Sequence, residues 1–150
     1  MKKIIANNRK ATHDYEILDK LEAGIVLTGT EIKSIRAGRI NLKNSYVDIK
    51  DGEAYLEACH ISEYETGSYN NHDPLRSRKL LLHKREINYL FGKIKEKGLT
   101  VVPLSLYIVR GRAKVEIALA RGKKKWDKRE DIAKKDAERR MQQAISPKNL

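Results

Sequence analysis

Hydrophobic and polar residues alternate with a period of two between residues 15 and 27. The apolar side of this alternation holds Tyr15, Ile17, Leu21, Ala23, Ile25 and Leu27. Charged residues fill much of the other side, so the segment is predicted to be a long, half-buried strand. Asp19 interrupts the apolar side, and Gly24 on the opposite side is predicted to mark a bulge.

A short helix is predicted directly after this strand. Thr28 and Glu31 stand three residues apart, as in a capping box, and Gly38 is placed to end the helix. Lys33 and Arg36 then lie on its outward face. That face is open to two interpretations, an ordinary solvated surface or a surface that contacts phosphates, and the spacing favours neither.

Two hairpins and a second helix complete the predicted body. Asp51–Gly52 between two apolar stretches is typical of a type I′ hairpin, and another hairpin is predicted around Arg110–Arg112. Residues 62–78 are predicted to form a polar loop, residues 79–83 a buried strand, and residues 87–94 an amphipathic helix. About five or six strands and two helices, joined mostly by hairpins, predict a mainly-β fold: an OB-like antiparallel barrel with flanking α-helices.

The composition divides the chain into three zones. Residues 1–14 are predicted to be a basic N-terminal arm, residues 15–120 the barrel, and residues 121–150 a basic tail. The tail holds 11 Lys and Arg against 5 Asp and Glu, and it has few apolar residues. Because so polar a helix is marginal in water, we expect the tail to be disordered when free and ordered on a partner.

The chain as a whole is strongly basic, with 32 Lys and Arg against 20 Asp and Glu and a net charge of +12. This balance indicates a polyanionic partner, either a nucleic acid or an anionic membrane face. No apolar run reaches the length of a signal peptide or of a spanning helix. The single cysteine, Cys59, is expected to be a small buried hydrophobe. We therefore expect a cytoplasmic protein that does not enter a membrane.

The sequence carries no pattern typical of an enzyme. Its four histidines are scattered without metal-ligand spacing, and it contains neither a Gly-rich phosphate loop nor a nucleophile elbow. We therefore expect no catalytic residues, no metal and no cofactor. Aromatic residues make up 6% of the chain, so recognition of RNA would rest on phosphates and RNA shape more than on a broad stacking surface.

Ten short segments, spread from the N-terminus to the tail, carry a resemblance to a known family. They are Asn8–Ala11, His13–Tyr15, Glu22–Gly24, Gly29–Gly38, Asn44–Val47, Asp51–Ala54, Asp73–Pro74, Arg78–Leu82, Gly122–Lys124 and Asp127–Arg129. Each segment alone is weakly informative, but their joint order over nearly the whole chain is specific. Together they resemble the SmpB family, the small protein B that binds transfer-messenger RNA (tmRNA).

This resemblance implies both a fold and a role. The fold is again an OB-like antiparallel barrel with helices packed around it. Family members bind the tRNA-like domain of tmRNA and carry it to stalled ribosomes, which is ribosome rescue by trans-translation. The protein stands in for the anticodon arm, and its tail enters the small-subunit decoding centre and the mRNA channel. The resemblance thus implies tmRNA and the ribosome as partners, and we expect a monomer when the protein is free.

The resemblance also assigns RNA-binding residues in the body. Glu22, Leu81 and His83 match family positions that bind RNA, and Lys33 and Arg36 are candidate phosphate contacts by charge and placement. A carboxylate is repelled by phosphate, so Glu22 is expected to accept hydrogen bonds from base or ribose groups. Two alternatives remain open: Glu22 as an ordinary surface charge of a strand, and Leu81 as a core residue.

In the tail, the resemblance assigns residues that contact the ribosome. They are Lys123, Lys124, Trp126, Asp127, Lys128, Arg129, Met141 and Ile145. Trp126 stands where other members have His, and its indole is expected either to stack on a base or to pack back onto the barrel. Two other functions remain as alternatives to rescue. One is a structural ribosome-associated protein, which tail deletion would distinguish, and the other is an RNA-modifying enzyme, for which the sequence lacks the catalytic residues.

Overall fold

The computed structural model describes residues 2–64 and 71–122, which form a mainly-β fold of nine strands and three helices. The strands are β1 (Lys2–Asn7), β2 (Tyr15–Ile25), β3 (Ile40–Asn41), β4 (Tyr46–Lys50), β5 (Glu53–Glu57), β6 (His60–Ile61), β7 (Arg78–Leu81), β8 (Leu99–Val109) and β9 (Arg112–Gly122). The helices are α1 (Arg9–Asp14), α2 (Gly29–Arg36) and α3 (Lys84–Ile94). Seven strands form one antiparallel sheet in the order β1-β8-β9-β2-β7-β5-β4, and β3 pairs with β6 separately.

The predicted long strand is confirmed as β2, but its bulge lies at another residue. Leu18 is the extra residue, because Ile17 and Asp19 pair with consecutive residues of β9. The polar residue that interrupts the apolar alternation therefore marks the end of the bulge. Gly24 stays in register opposite Lys114, so the bulge predicted there was wrong.

Bulges distribute the apolar residues between two clusters. Each extra residue turns the following side chains to the other face of the sheet, and β1 and β8 have similar irregularities at Ile5 and Leu104. The larger cluster includes Val47 of β4 and Leu106 of β8, although four strands separate β4 from β8 in the sheet. The sheet is therefore strongly curled. The smaller cluster, on the opposite face, holds Ala11, Val102, Leu104, Ala118 and Ala120.

Both predicted hairpins are confirmed. Asp51 and Gly52 have φ angles of 51° and 76°, and Arg110 and Gly111 have φ angles of 52° and 77°. Two successive positive φ angles are what a type I′ turn requires. The strand predicted after the first turn is interrupted at Ala58, which has a φ of 58°, and the chain leaves the main sheet to pair β6 with β3.

The two predicted helices are also confirmed. In α2, the Thr28 hydroxyl accepts a hydrogen bond from the Glu31 N–H at 3.3 Å, and the Glu31 carboxylate accepts one from the Thr28 N–H at 2.8 Å. These reciprocal bonds form the predicted capping box. In α3, Ile87 and Leu90 are buried against the larger cluster. Within residues 2–64 and 71–122, each helix is too short or too polar to span a membrane.

The segment expected to be an N-terminal arm contributes two elements that the sequence did not predict, β1 and α1. Asn8 joins them to the sheet. Its N–H donates to the Leu104 carbonyl at 2.8 Å, and its side-chain amide donates to the Pro103 carbonyl at 2.9 Å. Its side-chain oxygen accepts from the Ala11 N–H and so caps α1. The division into arm, barrel and tail stays a prediction, and residues 123–150 lie outside the described part of the chain.

The long polar loop is closed at its base by one side chain. The Asn71 side-chain oxygen accepts a hydrogen bond from the Tyr64 N–H at 3.0 Å, and its amide donates to the Tyr64 carbonyl at 2.8 Å. Asn71 thus pairs with Tyr64 much as a neighbouring strand would. The two ends of residues 65–70 are held together by this contact.

Candidate nucleic-acid interface

Glu22 lies at the centre of a hydrogen-bonded cluster on the sheet, which we call the Glu22 cluster. Its Oε2 accepts from the Tyr107 hydroxyl, and its Oε1 accepts from Lys114 Nζ at 3.2 Å. Lys2 Nζ lies 4.0 Å from the centroid of the Tyr107 ring. Although both oxygens have partners, the Glu22 side chain is 52% exposed, so the carboxylate remains accessible to a ligand.

The cluster fixes the protonation of its members. Hydrogen bonds from Tyr107 and Lys114 hold the pKa of Glu22 below its usual value. Burial of Tyr107, together with its bond to Glu22, raises the pKa of the phenol well above its ordinary range. At neutral pH Glu22 is therefore an anion held in place by a protonated Tyr107. Each carboxylate oxygen has a second lone pair, so Glu22 can still accept hydrogen bonds from base or ribose groups.

A groove of about 390 Å³ lies beside this cluster, at the end of the sheet where the β8–β9 turn approaches α2. We call it the Leu81 groove. Its lining combines apolar residues with three basic ones: Gly24, Ile25, Val26, Leu27, Ile32, Ile35, Arg36, Leu81, Ile108, Gly111, Arg112, Ala113 and Lys114. It brings together Arg36 and Leu81, two predicted site residues on different elements, and Lys114, the partner of Glu22. An apolar floor with a cationic rim suits an unstacked base and its phosphates.

Leu81 is 54% exposed, which rules out the alternative that it is a core residue. Leu80, its neighbour on β7, is buried in its place. The exposed side chain lies over β2, where a Cβ on Gly24 would stand 3.3 Å from the Leu81 Cβ. Gly24 therefore permits a close approach that a larger residue would disturb.

The other predicted body residues lie near the groove without lining it. Lys33 is exposed on α2, with its Nζ 5.5 Å from the centroid of the Tyr64 ring. His83 is exposed at the start of α3, where its N–H donates to Glu86 Oε1 at 2.9 Å. The structure thus assembles Glu22, Arg36 and Leu81 in one region and leaves Lys33 and His83 at its margins.

Sequence reasoning missed Tyr107, Lys114 and Arg112. In the sequence, Lys114 lies on the polar side of an alternating strand, a position that most exposed strand lysines share. Tyr107 stands in the apolar run of β8 and is 1% exposed. In the sequence such a tyrosine resembles a core residue. Its hydroxyl can be matched with Glu22 only once the sheet order is known, in which β8 and β2 lie on either side of β9.

A buried ion cluster holds α2 against the polar loop. Glu31 and Arg78 are both fully buried, and Glu31 Oε2 accepts from Arg78 Nε at 2.6 Å. Glu31 Oε1 accepts from Arg76 Nη2, also at 2.6 Å. Burial pushes the pKa of Glu31 upward, but hydrogen bonds from Arg76, Thr28 and Arg78 outweigh it and lower the pKa from 4.5 to about 2. This cluster fixes the helix that carries Arg36.

Cys59 is fully buried, as expected, and burial raises the pKa of its thiol to about 11. A thiol with so high a pKa is not a nucleophile at neutral pH. Among the described residues, no group of three or more His, Cys, Asp or Glu side chains is arranged to hold a metal ion. The predicted tail residues, from Lys123 to Ile145, lie outside the described residues.

Comparison with known proteins places the chain in a family. The family model described as SmpB protein matches residues 5–147. The chain belongs to the SmpB family. The SsrA-binding protein of Carboxydothermus hydrogenoformans is 60% identical over 145 residues, which are 97% of each chain. The SsrA-binding protein of Geobacillus thermodenitrificans is 60% identical over 143 residues, covering 95% of this chain and 92% of the relative. The resemblance inferred from the ten segments is thereby confirmed.

A solved SmpB structure supports the same assignment. It was determined in work described as "tmRNA-SmpB: a journey to the center of the bacterial ribosome", and it is 57% identical to this chain. The two superpose with a TM-score of 0.67, over 78% of this chain and 82% of the other. The mainly-β fold of this chain is therefore shared with a structurally characterised SmpB.

Proposed function

We propose that this chain binds tmRNA and acts with it in trans-translation. In this role it binds the tRNA-like domain, carries it to stalled ribosomes and stands in for the anticodon arm. The observation that carries the proposal is the SmpB match over residues 5–147, together with relatives named SsrA-binding proteins and a structural neighbour described with tmRNA and the bacterial ribosome. The protein acts by binding, without a cofactor or a catalytic step of its own, and is a monomer when free.

The Glu22 cluster and the Leu81 groove form the proposed RNA-binding surface. Arg36, Arg112 and Lys114 neutralise phosphates at the rim of the groove, and the exposed Leu81 packs against an unstacked base or ribose. Glu22 accepts hydrogen bonds from base or ribose groups, because a carboxylate repels phosphate. Lys33 and His83 extend the surface at its margins.

The finer architecture is part of the proposal. We propose that the curled sheet is an OB-like, partly open barrel, which is supported by the packing of β4 against β8 across the larger cluster. The basic tail, 121–150, is proposed to enter the decoding centre and mRNA channel. The residues that would contact the ribosome there are Lys123, Lys124, Trp126, Asp127, Lys128, Arg129, Met141 and Ile145. The charge of the tail, with 11 basic and 5 acidic residues, supports an RNA target.

The first test is a gel-shift titration of the full chain with the tRNA-like domain of tmRNA, against an unstructured RNA of equal length. Tight binding that the unstructured RNA does not displace is expected. Binding erased by the competitor would show a generic basic RNA binder and contradict the proposal.

The second test is removal of residues 123–150. This deletion should leave binding to the free tRNA-like domain nearly intact and abolish the peptide tagging that trans-translation performs. A loss of RNA binding without a tagging defect would favour a structural ribosomal role.

A matched pair of variants tests the surface itself. Glu22→Ala should weaken binding to the tRNA-like domain without changing the thermal midpoint of unfolding. Glu16→Ala is the control, because Glu16 lies on the same strand, is 58% exposed and is 4.0 Å from Arg121 instead of the Glu22 cluster. Equal effects of the two variants on binding would contradict the role of Glu22, and a collapse of thermal stability in Glu22→Ala would make it structural.

A further inference from the structure

A second groove, of about 430 Å³, lies at the opposite end of the sheet from the Leu81 groove, against α1. We call it the α1 groove. It lies over the smaller apolar cluster, so that Ala11 and Val102 contribute to both. Its lining consists of Asn8, Lys10, Ala11, Asp14, Tyr15, Asn44, Ser45, Tyr46, Thr100, Val102 and Gly122. Tyr46 is 45% exposed, which is high for a large ring beside an apolar floor.

The chain leaves the sheet within this groove. Gly122 is the last residue of β9, pairs with Tyr15 and lines the groove itself. Residues 123–150 therefore start at its edge. Trp126, the single tryptophan of the chain, follows four residues later. An extended backbone spans roughly 3.3–3.6 Å per residue, so the indole has up to about 14 Å of reach, enough to enter the groove.

The chemistry of the lining matches an indole. A tryptophan side chain buries roughly 150–250 Å² of surface, and its N–H requires an acceptor when it is buried. The apolar floor and the Tyr46 ring supply the contact area. On the wall, the side-chain oxygen of Asn44 and the carboxylate of Asp14, whose Oδ1 lies 3.1 Å from His13 Nδ1, are acceptors. Lys10 Nζ is held 2.7 Å from the Asn44 oxygen, where an ammonium can approach the face of a docked ring.

Charge favours the same occupant. The segment that joins Gly122 to Trp126 is Lys123–Lys125. Asp14 places a carboxylate beside the exit of the chain. The Asp14 carboxylate attracts this cationic segment and repels an RNA phosphate, while the single basic residue of the described lining, Lys10, is hydrogen-bonded to Asn44.

We propose that Trp126 docks in the α1 groove of its own chain when no RNA is bound. The root of the tail is then tethered to the sheet, and the residues that follow Trp126 remain available to a partner. This inference concerns the free protein and does not depend on the proposed function. It also predicts that Trp126 must leave the groove before its indole can stack on a base.

The test uses the single tryptophan as its own probe. The fluorescence of the full chain is measured without RNA, in dilute solution, with excitation that only indole absorbs. A blue-shifted emission maximum and an acrylamide quenching constant several-fold below that of the denatured chain are expected. Tyr46→Ala should return both toward the denatured values. Tyr89→Ala is the matched control, because Tyr89 is 40% exposed on α3, outside the groove, and this variant should leave both unchanged.

Each other outcome overturns the inference. An indole quenched as fast in the folded chain as in denaturant is not docked. An indole that is protected equally in the wild type and in Tyr46→Ala is packed elsewhere. Protection that depends on protein concentration means that the tryptophan of a second copy fills the groove. If circular dichroism shows that Tyr46→Ala does not fold, the same quenching measurement is made on Lys10→Ala, which removes an exposed cation from the same wall. Faster quenching than in the wild type then supports docking in the groove, and unchanged quenching overturns it.

Discussion

Replacing Glu31 by glutamine should remove a large part of the stability of the fold at neutral pH. Glu31 is fully buried, and its carboxylate binds the guanidinium of Arg78, which is also fully buried. Glu31→Gln keeps the shape but leaves Arg78 as a buried charge without its counter-ion. Removing one partner of a buried pair costs about 3–5 kcal/mol.

The pH dependence gives an independent magnitude for the same contact. The pKa of Glu31 is about 2 in the folded chain against an ordinary 4.5, and about 1.4 kcal/mol per pKa unit makes this about 3 kcal/mol. Because the folded pKa is lowered, this stability is fully present above pH 4.5. It is lost as the pH falls through the interval from 4.5 to about 2.

The assay is urea unfolding of the wild type and Glu31→Gln at several pH values. The variant should be about 3 kcal/mol less stable at neutral pH, and the difference should shrink as the pH falls through 4.5 to about 2, because Glu31 then becomes protonated in the folded chain as well. Glu53→Gln is the control, because Glu53 forms a half-exposed pair with Lys79 at 3.4 Å and should change stability by less than about 1 kcal/mol. If the free energies of unfolding of the wild type and Glu31→Gln differ by the same amount at neutral and at acid pH, the reasoning is refuted.

Three further predictions concern the RNA-binding surface. Tyr107→Phe should raise the pKa of Glu22 and weaken binding of the tRNA-like domain by about 1 kcal/mol, the net value of one hydrogen bond; unchanged affinity in a filter-binding assay would mean that the phenol does not position the carboxylate. Gly24→Val should displace the Leu81 side chain and weaken RNA binding more than Gly24→Ala does, and equal affinities for the two variants would disprove the close approach. Arg112→Ala should reduce the slope of log affinity against log salt by about 0.7–0.9, and an unchanged slope would place Arg112 away from phosphate.

The regular elements were predictable from the sequence because their signals are local. The alternation of β2, the capping box of Thr28 and Glu31 and the Asp51–Gly52 turn each lie within a few residues of chain, and all three are confirmed. The position of the bulge was not predictable in the same way. A bulge is defined by the pairing with the partner strand. In the sequence of β2 its only sign is Asp19, a polar residue in the apolar alternation, and Asp19 follows the extra residue, Leu18.

Features that depend on distant residues were missed. β1 is short and partly basic, and it is stabilised by pairing with β8, about a hundred residues away. The sequence alone suggests that Arg78 is an exposed surface residue. It is fully buried, because Glu31, 47 residues earlier, neutralises its charge. Arg36 was a candidate by charge and placement and Glu22 by the family resemblance, whereas the contact between Tyr107 and Glu22 requires the order of the strands.

The contact between Tyr64 and Asn71 has a practical consequence. Since both ends of residues 65–70 are joined through the Asn71 side chain, the spacing between them is set by that contact and not by the length of chain that connects them. Lengthening a loop whose ends are already fixed adds little to the entropic cost of closing it. Residues 65–70 are therefore a natural position for inserting an affinity peptide or a dye-labelling sequence by which the protein can be followed, because neither Tyr64 nor Asn71 lines either groove.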